Sequence, residues 1–172
     1  MSSEKKSIYC FDSSAFITMH RYYYYSMMPD LWSKLDSLVN QGQLISHEIV
    51  YIEIVPDSGE KDFLAKWLVT NRSIFIPQTQ LQLNLISDIL KKFPRLIKPE
   101  YEKDQADPWL IACLIELMKN EGLFAENSTY VLVSMENTRS NQKLPAACKH
   151  YRIRHMTLEE FFVDNNIRFK IS

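Results

Sequence analysis

The sequence predicts an α/β domain: a central, mostly parallel sheet between two layers of helices, a three-layer α/β/α arrangement. Two observations carry that prediction. Short runs rich in β-branched and aromatic residues alternate with stretches whose apolar residues recur at helical spacing. The run Thr129-Tyr130-Val131-Leu132-Val133-Ser134 is apolar without alternation, as a central parallel strand covered on both faces should be. With 172 residues the chain suits a single domain, 1–172, with a sizeable core, and is short for two.

Taken in order, Ser7 to Phe11 is a compact β-favouring run ending at Asp12, and Ser13 and Ser14 offer hydroxyls suited to capping a helix over Ala15, Phe16 and Ile17. Pro29 and Asp30 open an amphipathic helix, apolar at 31, 32, 35, 38 and 39 and closed by Gly42. Gln43 to Ser46 reads as a short strand running into a helix from about His47 to Val55, which Pro56-Asp57-Ser58-Gly59 terminates. Helices over Asp62 to Thr70 and Leu81 to Phe93 follow, then an exposed loop over Pro94 to Lys103. Asp107-Pro108 begins a helix with the stripe Leu110, Ile111, Leu114, Ile115, Leu117 and Met118, lasting until Gly122. Beyond the apolar strand come a short helix near Ala146 to His150 and a last strand over Arg152 to Met156. The capping-box pattern Thr157-Leu158-Glu159-Glu160 then opens a final helix.

Hydrophobic residues make up 46% and charged residues 24% of the chain, a balance that excludes a disordered or linker protein. A formal charge of −1 argues against gripping nucleic acid by bulk positive charge, but the distribution is uneven. Asn137 to Leu158 contains Arg139, Lys143, Lys149, Arg152 and Arg154 and no acid, and is a candidate phosphate-facing strip; a charge run of this kind is as often plain solvated surface. The cysteines at 10, 113 and 148 are odd in number and lack C-x-x-C spacing, so neither a disulfide framework nor a zinc site is expected. Nothing resembles a signal-peptide core, and no apolar stretch approaches about 18 residues. A cytoplasmic protein without membrane contact is expected. His47, His150 and His155 lack metal spacing, and the aromatic segment Tyr22 to Tyr25 with Met27 and Met28 suggests packing first and an interface second.

The acids fall in a telling order. Asp12 follows the first strand, Glu53 lies inside an early helix, Asp107 starts a later helix, and Glu136 comes just past the apolar strand. Ligand sites of open α/β sheets lie at the carboxyl ends of the strands, where Asp12 and Glu136 are placed. Taken singly each has a bland reading, as an N-cap, a solvated acid or a turn residue. Glu53 sits in the otherwise apolar Ile49 to Val55, where an acid on the buried side needs a partner or a metal. Asp104, one turn before Asp107, reads more simply as an acid drawn to a helix N-terminus.

Phe11-Asp12-Ser13-Ser14, the helix around Glu53, Ala106-Asp107-Pro108-Trp109 and Val131-Leu132-Val133-Ser134-Met135-Glu136 together resemble PIN-domain proteins. They are most similar to the toxin-like, VapC-like and DUF4411-type branch known from prokaryotic toxin–antitoxin pairs. The resemblance implies a divalent-metal-dependent endoribonuclease acting on an RNA substrate, with a cognate antitoxin partner and a homodimer. It implies Asp12 and Asp107 as the chief metal ligands, Glu136 completing a second cation position, Glu53 binding or orienting through water, and Ser13 orienting. Most PIN nucleases carry Asp-Thr-Asn where this chain has Asp12-Ser13-Ser14, and Asp where it has Glu136.

Clustered carboxylates repel one another, and hard cations such as Mg²⁺ or Mn²⁺, which prefer oxygen ligands, relieve the cost. Arg139, Lys143, Arg152 and Arg154 are the candidate phosphate contacts. Two other functions fit less well: a structure-specific DNA nuclease, which wants more carboxylates and long helical additions, and a non-catalytic scaffold or partner-binding module, against which the four acids argue. A phospho-receiver would want an acidic pair after the first strand, and Ser7 to Ser14 holds a single acid.

Overall fold

Five strands form one sheet because their apolar residues are covered from both sides. In the computed structural model, which describes residues 6–121, 128–136 and 139–168, they are β1 (Lys6–Phe11), β2 (Leu44–His47), β3 (Phe75–Ile76), β4 (Ser128–Val133) and β5 (Arg154–Met156). All pair in parallel, in the order β3-β2-β1-β4-β5. Tyr9 and Phe11 of β1 meet Phe161 edge-on at 4.9 Å on one face, and Cys10 between them points to the other.

The helices are α1 (Ser13–Tyr22), α2 (Pro29–Asn40), α3 (Glu48–Ile54), α4 (Phe63–Thr70), α5 (Gln80–Lys92), α6 (Ala106–Glu121), α7 (Leu144–His150) and α8 (Leu158–Asp164). A ring cluster of Phe11, Phe16, Trp32, Trp67 and Phe161 joins β1, α1, α2, α4 and α8 on one face of the sheet. On the other, α6 packs against β2, α5 and α7.

The outline matches expectation, and the differences have local causes. α1 is capped by Asp12 rather than by the serines: its carboxylate accepts from the N–H groups of Ser13 and Ser14. β3 carries no sequence signal, because two residues followed by Pro77 show no alternation; pairing with β2 makes it a strand. The first half of α6 is buried all round, Trp109, Ala112 and Cys113 included, since it lies between sheet and helix, whereas Met118 of the expected stripe is exposed. Gly122, the expected helix stop, lies outside the described residues. Arg152 is not in the last strand; it takes a left-handed φ of 59° in the turn before β5.

The capping box of α8 is formed as read: Thr157 Oγ1 accepts from Glu160 N at 3.3 Å, and Glu160 Oε2 accepts from Thr157 N at 2.8 Å. Thr157→Ala should lower stability by about 1 kcal/mol in urea unfolding, with an unchanged slope.

β4 pairs with β1 along its whole length, from Lys6 opposite Ser128 to Phe11 opposite Val133. The strand order reverses direction at this pair: β2 and β3 lie to one side of β1, β4 and β5 to the other. Such a switch point opens a crevice at the carboxyl edge of the sheet. The residues leaving β1 and β4 there are Asp12, and Ser134 to Glu136.

Candidate functional site

Asp12 is fixed by its surroundings. It is 4% exposed, and its main-chain N–H donates to Val133 O at 3.0 Å. Its Oδ1 accepts from Ser13 N at 2.7 Å and Ser13 Oγ at 3.2 Å, and its Oδ2 from Ser14 N at 3.3 Å and Ser14 Oγ at 2.6 Å. The Ser14 hydroxyl also accepts from Met135 N at 3.0 Å, tying the ends of β1 and β4 together. Ser13, expected to orient the site, touches two acids, since its hydroxyl also reaches Glu53.

Glu53 lies on the exposed face of α3, not on a buried side as its apolar neighbours suggested, because a seven-residue helix at the rim turns that face to the cleft. Its partner is a backbone group: Glu53 Oε1 accepts from Ala106 N, the first residue of α6, at 2.9 Å. Although the residue is exposed, its carboxyl turns in against α6, and loss of solvent there raises it above its ordinary value; the hydrogen bonds from Ala106 and Ser13 oppose the rise and Asp12 adds to it.

Asp107 follows in the first turn of α6. Burial holds its carboxyl well above the usual carboxylate range, and the charges of Asp12, Glu136 and Glu53 push the same way, with Lys143 opposing them. Glu136 leaves β4 with Lys143 Nζ 3.9 Å from its Oε1 and the N–H of Leu144 donating to Oε2 at 3.4 Å. Three of the four predicted acids, Glu53, Asp107 and Glu136, thus line one cleft of about 650 Å³, and the buried Asp12 lies near enough for its charge to act on Asp107. Ser13 and Lys143 line the cleft with them.

The donor set is all carboxylate oxygen and suits a hard cation. Among the described residues, no three carboxylate, imidazole or thiol groups are so placed that they could hold a metal ion together without moving. Glu53 and Glu136 each have an oxygen engaged by a backbone N–H, which a bound ion would have to displace or share.

The expected basic strip divides. Lys143 faces the acids, whereas Arg154 pairs with Asp164 at 3.5 Å, and with Arg152 lines a shallow hollow beside Ser128 and Thr129, at the amino end of β4 and so opposite the acid cleft. Arg139 is exposed. Asp104 is exposed on the cleft wall. His47 is a satisfied core histidine: its Nδ1 accepts from Ile49 N, so Nε2 donates to Gln82 Oε1 at 2.9 Å while the ring stacks on Trp109. Burial lowers its pKa. The three cysteines are free and buried. Sequence reasoning left Ser14 open and did not see Ser134, whose hydroxyl accepts from Glu136 N at 3.3 Å and pairs with His155 Nε2 at 2.8 Å. Its place directly after the apolar strand was the available signal.

Fold and cleft together define a three-layer α/β/α protein with an acidic site at the switch point of a parallel sheet. The chain belongs to the family described as Domain of unknown function (DUF4411), whose model matches residues 9–169. That match bears out the DUF4411-type resemblance, and its description names no activity. No curated protein matches the sequence. No described helix is long and apolar enough to cross a membrane.

Proposed function

We propose that this chain is a PIN-type, divalent-metal-dependent endoribonuclease that hydrolyses RNA phosphodiesters, and that it acts as the toxin of a toxin–antitoxin pair. The observation that supports the nuclease reading is the gathering of acids about Asp107: Glu53 and Glu136 line the same cleft, and the charges of both and of the buried Asp12 act on its carboxyl. The toxin role, a cognate antitoxin and a homodimer rest on the sequence resemblance.

In this reading Asp12 and Asp107 are the chief ligands for Mg²⁺ or Mn²⁺, Glu136 completes a second cation position, and Glu53 binds or orients through water. When bound, the cations supply an activated water and neutralise the charge developing on the phosphodiester. Ser13 and Ser14 hold the Asp12 carboxylate in a fixed orientation through their hydroxyls. Lys143, half-exposed beside Glu136, is placed to meet a substrate phosphate. No side-chain nucleophile is required.

A scaffold reading draws on one observation: the Asp12 carboxylate already receives four hydrogen bonds as a helix cap. The two readings part in one experiment. Purified protein and an Asp12→Asn/Asp107→Asn double variant are incubated with a mixed RNA and a matched single-stranded DNA, in Mg²⁺, in Mn²⁺ and in EDTA. Metal-dependent RNA cleavage that disappears in the double variant is the expected outcome. Cleavage of DNA in preference to RNA would shift the assignment to a DNA nuclease. Absence of cleavage under every condition would favour the scaffold, and cleavage undiminished in the double variant would remove the site.

A further inference from the structure

One wall of the acid cleft is a loop with an unusual fastening. Gln105 Oε1 accepts from Lys98 N at 2.8 Å, and Gln105 Nε2 donates to Lys98 O at 2.9 Å. A single side-chain amide thus makes the pair of bonds that a neighbouring strand would make, and closes residues 98–105 into a loop. Within it Tyr101 N donates to Lys98 O at 3.1 Å. The next residue, Ala106, donates its N–H to Glu53, so the loop is anchored to the acid cluster itself.

What this loop presents is an aromatic ring. Tyr101 lines the cleft, is 57% exposed, and has Lys98 Nζ 5.5 Å from its ring centroid. Arg95, Lys98 and Lys103 line the same cleft, but Glu100, Glu102 and Asp104 stand among them. The mixture offers a polyanion little net attraction, so bulk charge does not account for a nucleic acid lying here. An aromatic face does. Base stacking on an exposed ring is strong and tolerant of sequence, and it requires an unpaired base, because a base within a duplex has both faces covered by its neighbours.

We infer that residues 98–105 are a recognition loop for single-stranded RNA: Tyr101 stacks on an unpaired base, while Arg95, Lys98 and Lys103 meet the flanking phosphates. The inference rests on the nuclease reading of the cleft and adds its substrate class. It makes duplex RNA a poor substrate for a geometric reason.

The test compares wild type, Tyr101→Phe and Tyr101→Ala by fluorescence anisotropy. The probe is a fluorescein-labelled mixed-sequence RNA, single-stranded or annealed to its complement, in Ca²⁺; cleavage of the same RNA in Mg²⁺ is followed in parallel. Tyr101 is exposed, so a thermal melt should show both variants folded. Wild type should prefer the single strand, Tyr101→Phe should keep that affinity, and Tyr101→Ala should lose roughly 5- to 100-fold of it with little change on the duplex. Unaltered single-strand binding by Tyr101→Ala, or an equal loss on both probes, would overturn the recognition loop; continued wild-type cleavage would then leave the nuclease reading standing. Neither binding nor cleavage of either RNA by wild type would overturn both.

Discussion

Asp107→Asn is expected to make the metal-free protein more stable at neutral pH and at the same time to lower RNA cleavage by at least about 100-fold. The two effects have one cause. Burial and the charges of Asp12, Glu136 and Glu53 raise the Asp107 carboxyl well above its unfolded value, so the folded state favours its protonated form. Its contribution to stability is therefore complete below the usual carboxylate range and is lost as pH rises through the raised folded value. Glu53, raised for the same reason, adds to the slope in the same direction. The metal-free wild type should lose melting temperature as pH climbs through that window, and Asp107→Asn should flatten the fall. For a chain of this size each kcal/mol of relieved repulsion raises the melting temperature by about 2–4 °C. Adding Mn²⁺ should reverse the ranking, because a cation bound to ionised carboxylates stabilises the wild type and has one ligand fewer in the variant. Binding needs the ionised form, so Mn²⁺ affinity should rise with pH and titration should release protons, both readable by calorimetry. A wild-type melting curve indifferent to Mn²⁺ and to pH would refute this account of the cluster.

Ser14→Ala is the second substitution with a large expected effect. The hydroxyl of Ser14 donates to Asp12 Oδ2 at 2.6 Å and accepts from Met135 N at 3.0 Å, so it joins the cap of α1 to the chain leaving β4. Its removal leaves the Met135 N–H without this acceptor and takes one of the donors from Asp12. A loss of about 1–3 kcal/mol in stability is expected, together with a roughly 10-fold or greater fall in Mn²⁺ affinity as Asp12 loses its tie to Met135, the residue before Glu136. Ser14→Thr, which retains the hydroxyl, should recover most of both. Equal metal affinity in Ser14→Ala and wild type would reduce Ser14 to a part of the helix cap.

Much of the fold was legible because the signals are local. Val131, Leu132 and Val133 are buried on both faces of the sheet, and an uninterrupted β-branched run has few other homes. The cap at Thr157 and the stop at Gly42 depend only on neighbouring backbone. Asp12 and Glu136 were placed correctly at strand ends by the same reasoning. β3 and the all-round burial of α6 were not legible, since both depend on what packs against them. The aromatic segment Tyr22 to Tyr25 divides in a way its composition does not foretell: Tyr23 packs on Phe162, whereas Tyr22, Tyr24 and Tyr25 are exposed, Tyr25 with one face stacked on Phe63.

By itself the sequence determined the helices and every strand but β3, and that four acids stand at their ends or on their faces, because strand, cap and amphipathic patterns are set by residues a few positions apart. Only the tertiary structure decided that Glu53, Asp107 and Glu136 share a cleft with Asp12 beside it. Strand order places β4 beside β1, the contact of Glu53 with Ala106 spans more than fifty positions, and the opposite running of the chain before β5 carries Arg152 and Arg154 away from the site while leaving Lys143 at it. Those relations are made by packing between distant segments, and pairwise packing leaves no periodicity in the chain for a sequence reading to find.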